Sequence, residues 1–288
     1  MNSEREAPVL SRVLFFLNKD PLAIPWLKEL VEELKEEGIK ADFSPGKEAD
    51  GASCFVITDS DAGADFARSH EAGFMAMASA DEGWLFQGAE CVFEDFSEIN
   101  ADFVIKMFER FHEIPWTILK TERTVLREMT LDDLDDLYRL YEEEGVRDYI
   151  GSLSENREEE RSFEEAYIKT MYRFFGYGIW LVADRITGEI IGRAGLTRRD
   201  GYEDLEIGYL LSERFRHRGI AREVVAAVIE YAGRVLGQER LNAFVDERNL
   251  PSCHLVEALG FEVVGKALIE GRELIWYRLN AARFGGSS

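Results

Sequence analysis

Hydrophobic and polar positions follow different rhythms in the two halves of the chain. Between residues 12 and 111, short β-branched or aromatic runs alternate with segments of helical periodicity. Such alternation is typical of a parallel sheet covered by helices on both faces, so we predict a Rossmann-like α/β domain in residues 1–118. The predicted strands are Arg12–Leu17, Ile39–Phe43, Cys54–Thr58, Phe74–Ala78 and Cys91–Phe93, and the predicted helices are Pro21–Glu37, Ala62–Ala72 and Asn100–Phe111.

The hydrophobic pattern changes after Pro115. We therefore place the domain boundary within His112–Arg123. A strand is predicted at Thr124–Met129, followed by a helix from Thr130 and another over Arg161–Phe174. Three consecutive strands separated by Gly-containing turns come next, which indicates an antiparallel meander rather than a parallel sheet. We predict a mixed α+β domain in residues 119–282. Its later elements are helices at Gly219–Leu236 and Pro251–Leu259 and strands at Leu241–Val245, Phe261–Ile269 and Arg272–Leu279.

Charge and cysteine content narrow the class of function. A formal net charge of -22 repels nucleic acid and anionic membrane surfaces, so neither is an expected partner. The N-terminal residues lack a signal-peptide pattern, and we expect a cytoplasmic protein. The three cysteines, Cys54, Cys91 and Cys253, are widely spaced, and the four histidines form no metal-binding pair, so neither disulfides nor a bound metal is expected.

The segment Glu206–Glu223 carries the strongest chemical signal. It runs from a strand through a basic turn into an amphipathic helix. A helix N-terminus offers unpaired N–H groups and positive potential, and small residues at Gly219 and Ala221 let a pyrophosphate approach the backbone. The alternative is an ordinary strand-to-helix turn with solvated arginines. The basic side chains of the turn are Arg216, His217, Arg218 and Arg222.

Two motifs in this order resemble the GNAT acetyltransferase superfamily, in particular its branch that acetylates ribosomal-protein N-termini. Arg216–Ala221 resembles the family's (Arg/Gln)xxGx(Gly/Ala) signature, and Asn249–Ser252 followed by Leu259–Phe261 resembles its second motif. The resemblance covers about Thr121–Asn280. It implies a GNAT-type fold and transfer of an acetyl group from acetyl-CoA to a primary amine, by direct attack in a ternary complex and without a metal.

The resemblance also implies roles for particular residues. Those expected to contact coenzyme A are Leu210, Leu211, Arg216, His217, Arg218, Gly219, Ile220, Ala221, Arg222, Asn249 and Ser252. The backbone at Tyr209–Leu211 would hold the pantetheine arm and polarise the thioester carbonyl. Asn249 and Ser252 would lie near the pantetheine and the sulfur. Helix capping is an alternative role for both, and the two roles can coexist.

The reaction requires a base, because an alkylamine with a pKa of ~10 arrives protonated at neutral pH. Glu206 is the predicted base, and its alternative role is an outward-facing strand carboxylate. Many relatives place a tyrosine seven residues after the motif asparagine, but this chain has Val256 there. Ser252, Cys253, Tyr209 and water therefore remain open as the general acid, unless the thiolate departs without one.

The acceptor is predicted only as an amine. Residues 142–165 are rich in carboxylates, which would attract a cationic small molecule or a peptide amine, or would form a solvated face. An aromatic cluster could line the acceptor pocket or belong to the core. The sequence also leaves open whether the protein forms a homodimer. The cluster consists of Tyr172, Phe174, Phe175, Tyr177 and Trp180.

The first domain has a weaker resemblance, to HAD-type phosphatases. Val56–Asp61 and the following helix and strand are similar to the part of that family in which an aspartate, here Asp59, holds magnesium. The first strand lacks the family's aspartate nucleophile, and Gly63 stands where a second magnesium ligand is expected. We predict a degenerate, noncatalytic HAD-like domain. The alternatives are a phosphatase or bifunctional enzyme using Asp59 and magnesium, and a noncatalytic acyl-CoA sensor.

Overall fold

The computed structural model describes residues 7–43, 50–78, 86–95, 97, 99–143 and 152–280. The chain divides into two compact units, Met1–Trp116 and Thr117–Ser288. The division falls in the segment that follows Pro115.

The first unit contains a five-stranded sheet in which every described pair of strands is parallel, in the order β2-β1-β3-β4-β5. The parallel sheet is confirmed, whereas the HAD-like identity stays a prediction. The strands are β1 Arg12–Phe16, β2 Lys40–Asp42, β3 Cys54–Thr58, β4 Gly73–Met77 and β5 Cys91–Phe93, and the helices are α1 Pro25–Glu36, α2 Asp61–Ser69 and α3 Ala101–Phe111.

One predicted helix of this unit is divided. The segment Pro21–Glu37, predicted as one helix, consists of a 3-10 turn at Pro21–Ala23 followed by α1, which starts at Pro25. Ile24 is extended because a residue before proline is sterically excluded from helical geometry, whereas proline itself suits the first helical position. From there α1 buries Leu27, Leu30 and Leu34, at the spacing expected for one face.

The second unit contains an eight-stranded mixed sheet in the order β12-β13-β11-β10-β9-β8-β7-β6. Its described neighbours are antiparallel except β10 and β11, which are parallel. Strand β6 was not predicted, because Pro115 and the polar residues around it indicated a linker. The strands are β6 Thr117–Lys120, β7 Thr124–Arg127, β8 Ile179–Asp184, β9 Ile190–Thr197, β10 Leu205–Leu211, β11 Arg240–Val245, β12 Glu262–Ile269 and β13 Arg272–Asn280.

The helices of this unit are α4 Leu134–Tyr141, α5 Arg157–Tyr167, α6 Ile220–Arg234 and α7 Leu250–Ala258. Helix α5 begins earlier than predicted, because Asn156 caps it by accepting a hydrogen bond from the Glu158 N–H. Beyond α5 the chain continues as a π-helix at Ile168–Phe175. This helix ends at Gly176, whose φ is 74°. A single periodic pattern in the sequence does not reveal this change of helix type.

The core of the second unit lies between the sheet and α6, which buries Val224, Val225 and Val228. Trp180 and Tyr172 are core residues, while Phe174 and Phe175 are exposed. Over the described ranges, every helix is too short or too polar to cross a bilayer.

Candidate active site

Strands β10 and β11 are paired only at their beginnings. Leu205 lies opposite Leu241 and Glu206 lies opposite Asn242, and the described residues show no further pair between these strands. On their other sides, β10 pairs with β9 over Glu206–Leu211, and β11 pairs with β13 over its whole length. The two parallel strands therefore leave a gap between their carboxyl ends, and two cavities lie along it.

The donor cavity, as we name the first, has a volume of about 470 Å³. It lies between the end of β10, the basic turn and the beginnings of α6 and α7. Of the predicted coenzyme A residues, Arg218 and Ile220 are absent from its lining, and Ile220 is buried in the core. The lining residues are Tyr209, Leu210, Leu211, Phe215, Arg216, His217, Gly219, Ala221, Arg222, Asn249, Pro251, Ser252 and Leu255.

The turn before α6 has backbone geometry that exposes the start of the helix. Gly219 caps α6 with a φ of 76°, and His217 has a φ of 58°. The left-handed conformation is easily adopted by glycine, whereas it is uncommon for histidine. The first hydrogen bond of the helix joins the Glu223 N–H to the Gly219 carbonyl. The N–H groups of the first turn thus have no partner within the helix and can bind an anion.

A clamp that sequence analysis missed holds this turn in place. The Arg123 backbone N–H donates to Glu223 Oε1 at 2.9 Å, and the Nε of the Arg123 side chain donates to Glu223 Oε2 at 2.7 Å. Its Nη1 also donates to the Arg218 carbonyl at 2.6 Å. Arg123 precedes β7 and lies 100 residues from Glu223 along the chain. No local pattern in the sequence could therefore indicate this contact.

The acceptor cavity, as we name the second, has a volume of about 390 Å³ and shares Tyr209, Leu210, Asn249 and Ser252 with the donor cavity. Both carboxylates and guanidinium groups line it. Its polar and charged lining includes Tyr141, Glu164, Tyr167, Arg193, Arg199, Glu206, Asp246, Glu270 and Arg272, and Ile179 and Gly208 also line it.

Glu206 lines the acceptor cavity and is buried, not outward-facing. Arg199, which sequence analysis missed, donates from Nε to Glu206 Oε2 at 2.5 Å and also contacts Glu270. Burial raises the pKa of the Glu206 carboxyl, while the hydrogen bond and charge of Arg199 act in the opposite direction. The net effect is a pKa above the usual glutamate value.

Tyr209 and Ser252 lie where the two cavities meet. The Tyr209 hydroxyl donates to the Ser252 carbonyl at 3.5 Å, and burial raises the pKa of Tyr209 to about 12. Asn249 caps α7 by accepting a hydrogen bond from the Ser252 N–H at 3.3 Å, so the capping role exists beside any role toward a ligand. Cys253 is buried and lines neither of these cavities.

The carboxylates of residues 142–165 lie in two kinds of environment. Glu160 and Glu164 are buried, and Glu164 lines the acceptor cavity, whereas Glu158 and Glu165 are exposed. Residues 144–151, which include Glu144, Arg147 and Asp148, lie outside the described ranges. The predicted aromatic cluster lines neither the donor nor the acceptor cavity.

Comparisons with known proteins agree with this geometry. A family model described as an acetyltransferase (GNAT) domain matches residues 123–262. The uncharacterized N-acetyltransferase YoaA of Bacillus subtilis (strain 168) is 32% identical over 154 residues, which cover 51% of this chain and 84% of that protein. The chain belongs to the GNAT family of acetyltransferases.

Other proteins similar to this GNAT protein support the same family and fold. The uncharacterized N-acetyltransferase p20 of Bacillus licheniformis is 29% identical over 153 residues, covering 51% of this chain and 83% of that protein. An uncharacterized protein of Bacillus halodurans shares the fold, with a TM-score of 0.51 at 16% identity over 59% of this chain and 92% of its own. The GNAT protein is thus an acyltransferase of a family whose cosubstrate is acetyl-CoA. None of these names states an acceptor, so the ribosomal-protein branch stays a prediction.

Proposed function

We propose that the second unit binds acetyl-CoA in the donor cavity and transfers its acetyl group to a primary amine held in the acceptor cavity. The observation that carries this proposal is the meeting of the two cavities at Tyr209, Leu210, Asn249 and Ser252, in the gap between β10 and β11. Reactants that enter from the two sides would meet there, and holding them together removes much of the entropic barrier to reaction.

The donor cavity suits coenzyme A. Its diphosphate would lie against the first N–H groups of α6, where Arg216, His217 and Arg222 line the wall and Arg218 lies beside them. A concentration of basic side chains at a helix N-terminus, within an acidic chain, favours an anionic ligand. Leu210 and Leu211 would position the pantetheine arm. Bound acetyl-CoA supplies the acetyl group as an activated thioester.

Glu206 is the proposed general base. Its burial beside the acceptor cavity raises its pKa, which brings the carboxylate closer to the basicity needed to remove a proton from an ammonium group. Arg199 holds the carboxylate in a fixed orientation through Nε. The proton would move from the acceptor to Glu206 directly or through one water molecule.

Tyr209 is the proposed general acid. Its hydroxyl carries a proton at neutral pH, as a tyrosine with an ordinary pKa of ~10 already does, and it lies at the junction of the cavities. Ser252 lines the same junction and is the second candidate for protonating the leaving sulfur. Cys253, which lies in the core, is a weaker candidate than either.

The proposed acceptor is a cationic small molecule or the amine of a peptide. The carboxylates of Glu164, Glu206, Asp246 and Glu270 line the cavity and favour a positively charged amine on approach. The arginines on the same wall limit this preference, so the charge of the wall alone does not select one class of amine.

Thiol release from acetyl-CoA tests the proposal. Purified protein is incubated with acetyl-CoA and, one at a time, amino acids, polyamines, aminoglycosides and basic peptides. We expect thiol release above the rate of acetyl-CoA alone with at least one amine, and an N-acetylated product by mass spectrometry. Acetyl-CoA that binds with no release over the whole panel would instead support an acyl-CoA sensor.

We infer that the first unit does not act as a phosphatase. Asp59 follows β3, and its Oδ1 accepts a hydrogen bond of 2.7 Å from the backbone N–H of Asn18, which follows β1. The Asn18 side chain also lies near Asp59, because its Nδ2 donates to the Asp59 carbonyl at 3.1 Å. An amide therefore stands where a phosphatase of the HAD type needs a carboxylate nucleophile. Magnesium-dependent phosphate release from a generic ester, abolished by Asp59→Asn, would reverse this inference.

A further inference from the structure

Beside the acceptor cavity lies a buried ion pair with unused hydrogen-bonding capacity. Glu164 is 1% exposed and Arg193 is 8% exposed. Glu164 Oε1 and Arg193 Nη1 are 3.6 Å apart, which is close enough for an ion pair and too long for a hydrogen bond. Glu164 Oε2 and Arg193 Nε have no hydrogen-bond partner among the described residues. The pair therefore offers one unpaired acceptor and one unpaired donor.

The polar groups around the pair leave these two atoms without a partner, because the Tyr141 hydroxyl accepts from Arg193 Nη1 at 3.4 Å rather than from Nε, and other groups are used elsewhere. The Tyr167 hydroxyl accepts a hydrogen bond from the Ile179 N–H at 2.7 Å, and the Tyr172 hydroxyl donates to the Ile179 carbonyl at 2.6 Å. Glu160 Oε2 accepts from the Ser154 N–H at 2.8 Å. Because leaving buried polar atoms unpaired is costly, a pair that stays unsatisfied among satisfied neighbours indicates a place for a ligand.

The pair also lies on the wall of the proposed reaction site. Glu164 and Arg193 line the acceptor cavity and a further cavity of about 410 Å³, which is also lined by Ser152, Ser154 and Glu159. Arg193 lies opposite Leu210 in the sheet, and Gly208 lies opposite Gly195 on the same face. Glu206 and Leu210 lie four residues apart on the same face of β10, which is ~14 Å along the strand, so an extended acceptor could reach from Glu206 to the pair.

The charges of the pair decide which group fits. A carboxylate and a guanidinium at this distance balance each other, so an added anion or cation would leave one buried charge uncompensated. A neutral group that both donates and accepts hydrogen bonds, such as a hydroxyl or a primary carboxamide, satisfies Oε2 and Nε without disturbing the balance. We propose that Glu164 and Arg193 form a specificity site for such a neutral group at the far end of the amine acceptor. This rests on the proposed function, because it places the acceptor in the same cavity.

A matched panel of acceptors tests this site. Primary alkylamines of equal chain length, in several lengths, carry at the far end a carboxamide, a hydroxyl, a carboxylate, an ammonium or a methyl group. For the wild type, we expect kcat/KM for thiol release to be about 10-fold to 100-fold higher with the carboxamide or hydroxyl than with the methyl end at the best length. Equal kcat/KM for all ends at every length would overturn the proposal and leave the pair filled by water alone.

Charge variants separate recognition from a structural role. Glu164→Gln leaves the Arg193 charge unbalanced and should shift the preference toward the carboxylate end, whereas Arg193→Gln should shift it toward the ammonium end. The double variant E164Q/R193Q restores neutrality and should discriminate least between the charged ends. Each value is taken relative to the methyl-ended amine with the same variant, so a general loss of stability does not imitate shifts of opposite sign. Shifts in the same direction, or none, would contradict the proposal.

Binding measurements distinguish failure of this inference from failure of the proposed function. The N-acetylated form of each panel member keeps the same far end and is titrated calorimetrically into the protein in the presence of coenzyme A. If no amine releases thiol but the carboxamide and hydroxyl ends still bind preferentially, the transfer reaction is wrong and the specificity site stands. If neither turnover nor binding distinguishes the ends, the specificity site is wrong.

Discussion

Glu206 and Glu164 are both buried carboxylates on the wall of the acceptor cavity, but they differ in how they are held. Glu206 has a hydrogen bond of 2.5 Å to Arg199, whereas Glu164 is 3.6 Å from its nearest cation. A carboxylate fixed by a short charge-assisted hydrogen bond keeps one orientation, which suits a group that must receive a proton along one direction. The difference supports Glu206 as the base and Glu164 as a recognition residue.

Removing the carboxylate of Glu206 should slow the reaction. With Glu206→Gln we expect kcat/KM for the best amine to fall by about 100-fold or more, because general bases contribute about 100-fold to 10,000-fold. The affinity for acetyl-CoA, measured by calorimetry, should change little, since Glu206 does not line the donor cavity. Full activity of this variant at neutral pH would exclude Glu206 as the base.

The pH dependence of the reaction should report on Arg199. The base works when deprotonated, so kcat/KM should rise with pH through the pKa of Glu206, which burial raises. Arg199 lowers that pKa, so Arg199→Gln should move this acid limb to higher pH. Arg199→Lys keeps the charge and should move it less. If both variants lose activity equally at every pH, Arg199 has only a structural role.

The strand, basic turn and helix of the donor cavity were predictable from the sequence because local rules decide them. Gly219 before an apolar helical pattern marks a helix beginning, and the helix begins one residue later at Ile220. The Arg123–Glu223 contact could not be predicted, because it joins residues 100 positions apart. The π-helix at Ile168–Phe175 was also missed, since its residues suit an α-helix equally well.

The opening of α6 provides a test of the donor cavity. Gly219→Glu adds a negative charge at the helix N-terminus and a side chain at a positive φ, so we expect acetyl-CoA binding to weaken by about 100-fold or more in calorimetry. Gly219→Asn is the matched control, because asparagine tolerates this backbone conformation without a charge. It should bind acetyl-CoA much more tightly than the glutamate variant. Equal affinities for the wild type and Gly219→Glu would place coenzyme A elsewhere.

The type of sheet in each unit was predictable from the sequence, but the acceptor cavity was not. Alternating hydrophobic runs indicated the parallel sheet of the first unit, and consecutive strands indicated the meander of the second. The acceptor cavity instead depends on side chains from several elements, such as Glu164 on α5, Arg193 on β9 and Glu206 on β10. Their proximity arises from sheet order and helix packing, which no local pattern in the chain specifies.

The net charge of -22 should act on the two substrates in opposite ways. The field of the whole molecule attracts a cationic amine and repels the anionic coenzyme A, while the basic turn attracts coenzyme A at short range. Salt screens long-range forces first, with a screening length of ~8 Å at physiological ionic strength. We therefore expect kcat/KM for the amine to fall by about 2-fold to 10-fold as sodium chloride is raised from low to physiological concentration.

Over the same range kcat/KM for acetyl-CoA should fall less, or rise, because screening also removes the long-range repulsion that opposes its approach. Initial rates are measured with each substrate varied in turn at a saturating concentration of the other. Sucrose at matched osmolality serves as the uncharged control and should leave the ratio of the two kcat/KM values unchanged. An equal fall for both substrates would contradict the argument, since a field of one sign cannot assist ligands of opposite charge alike.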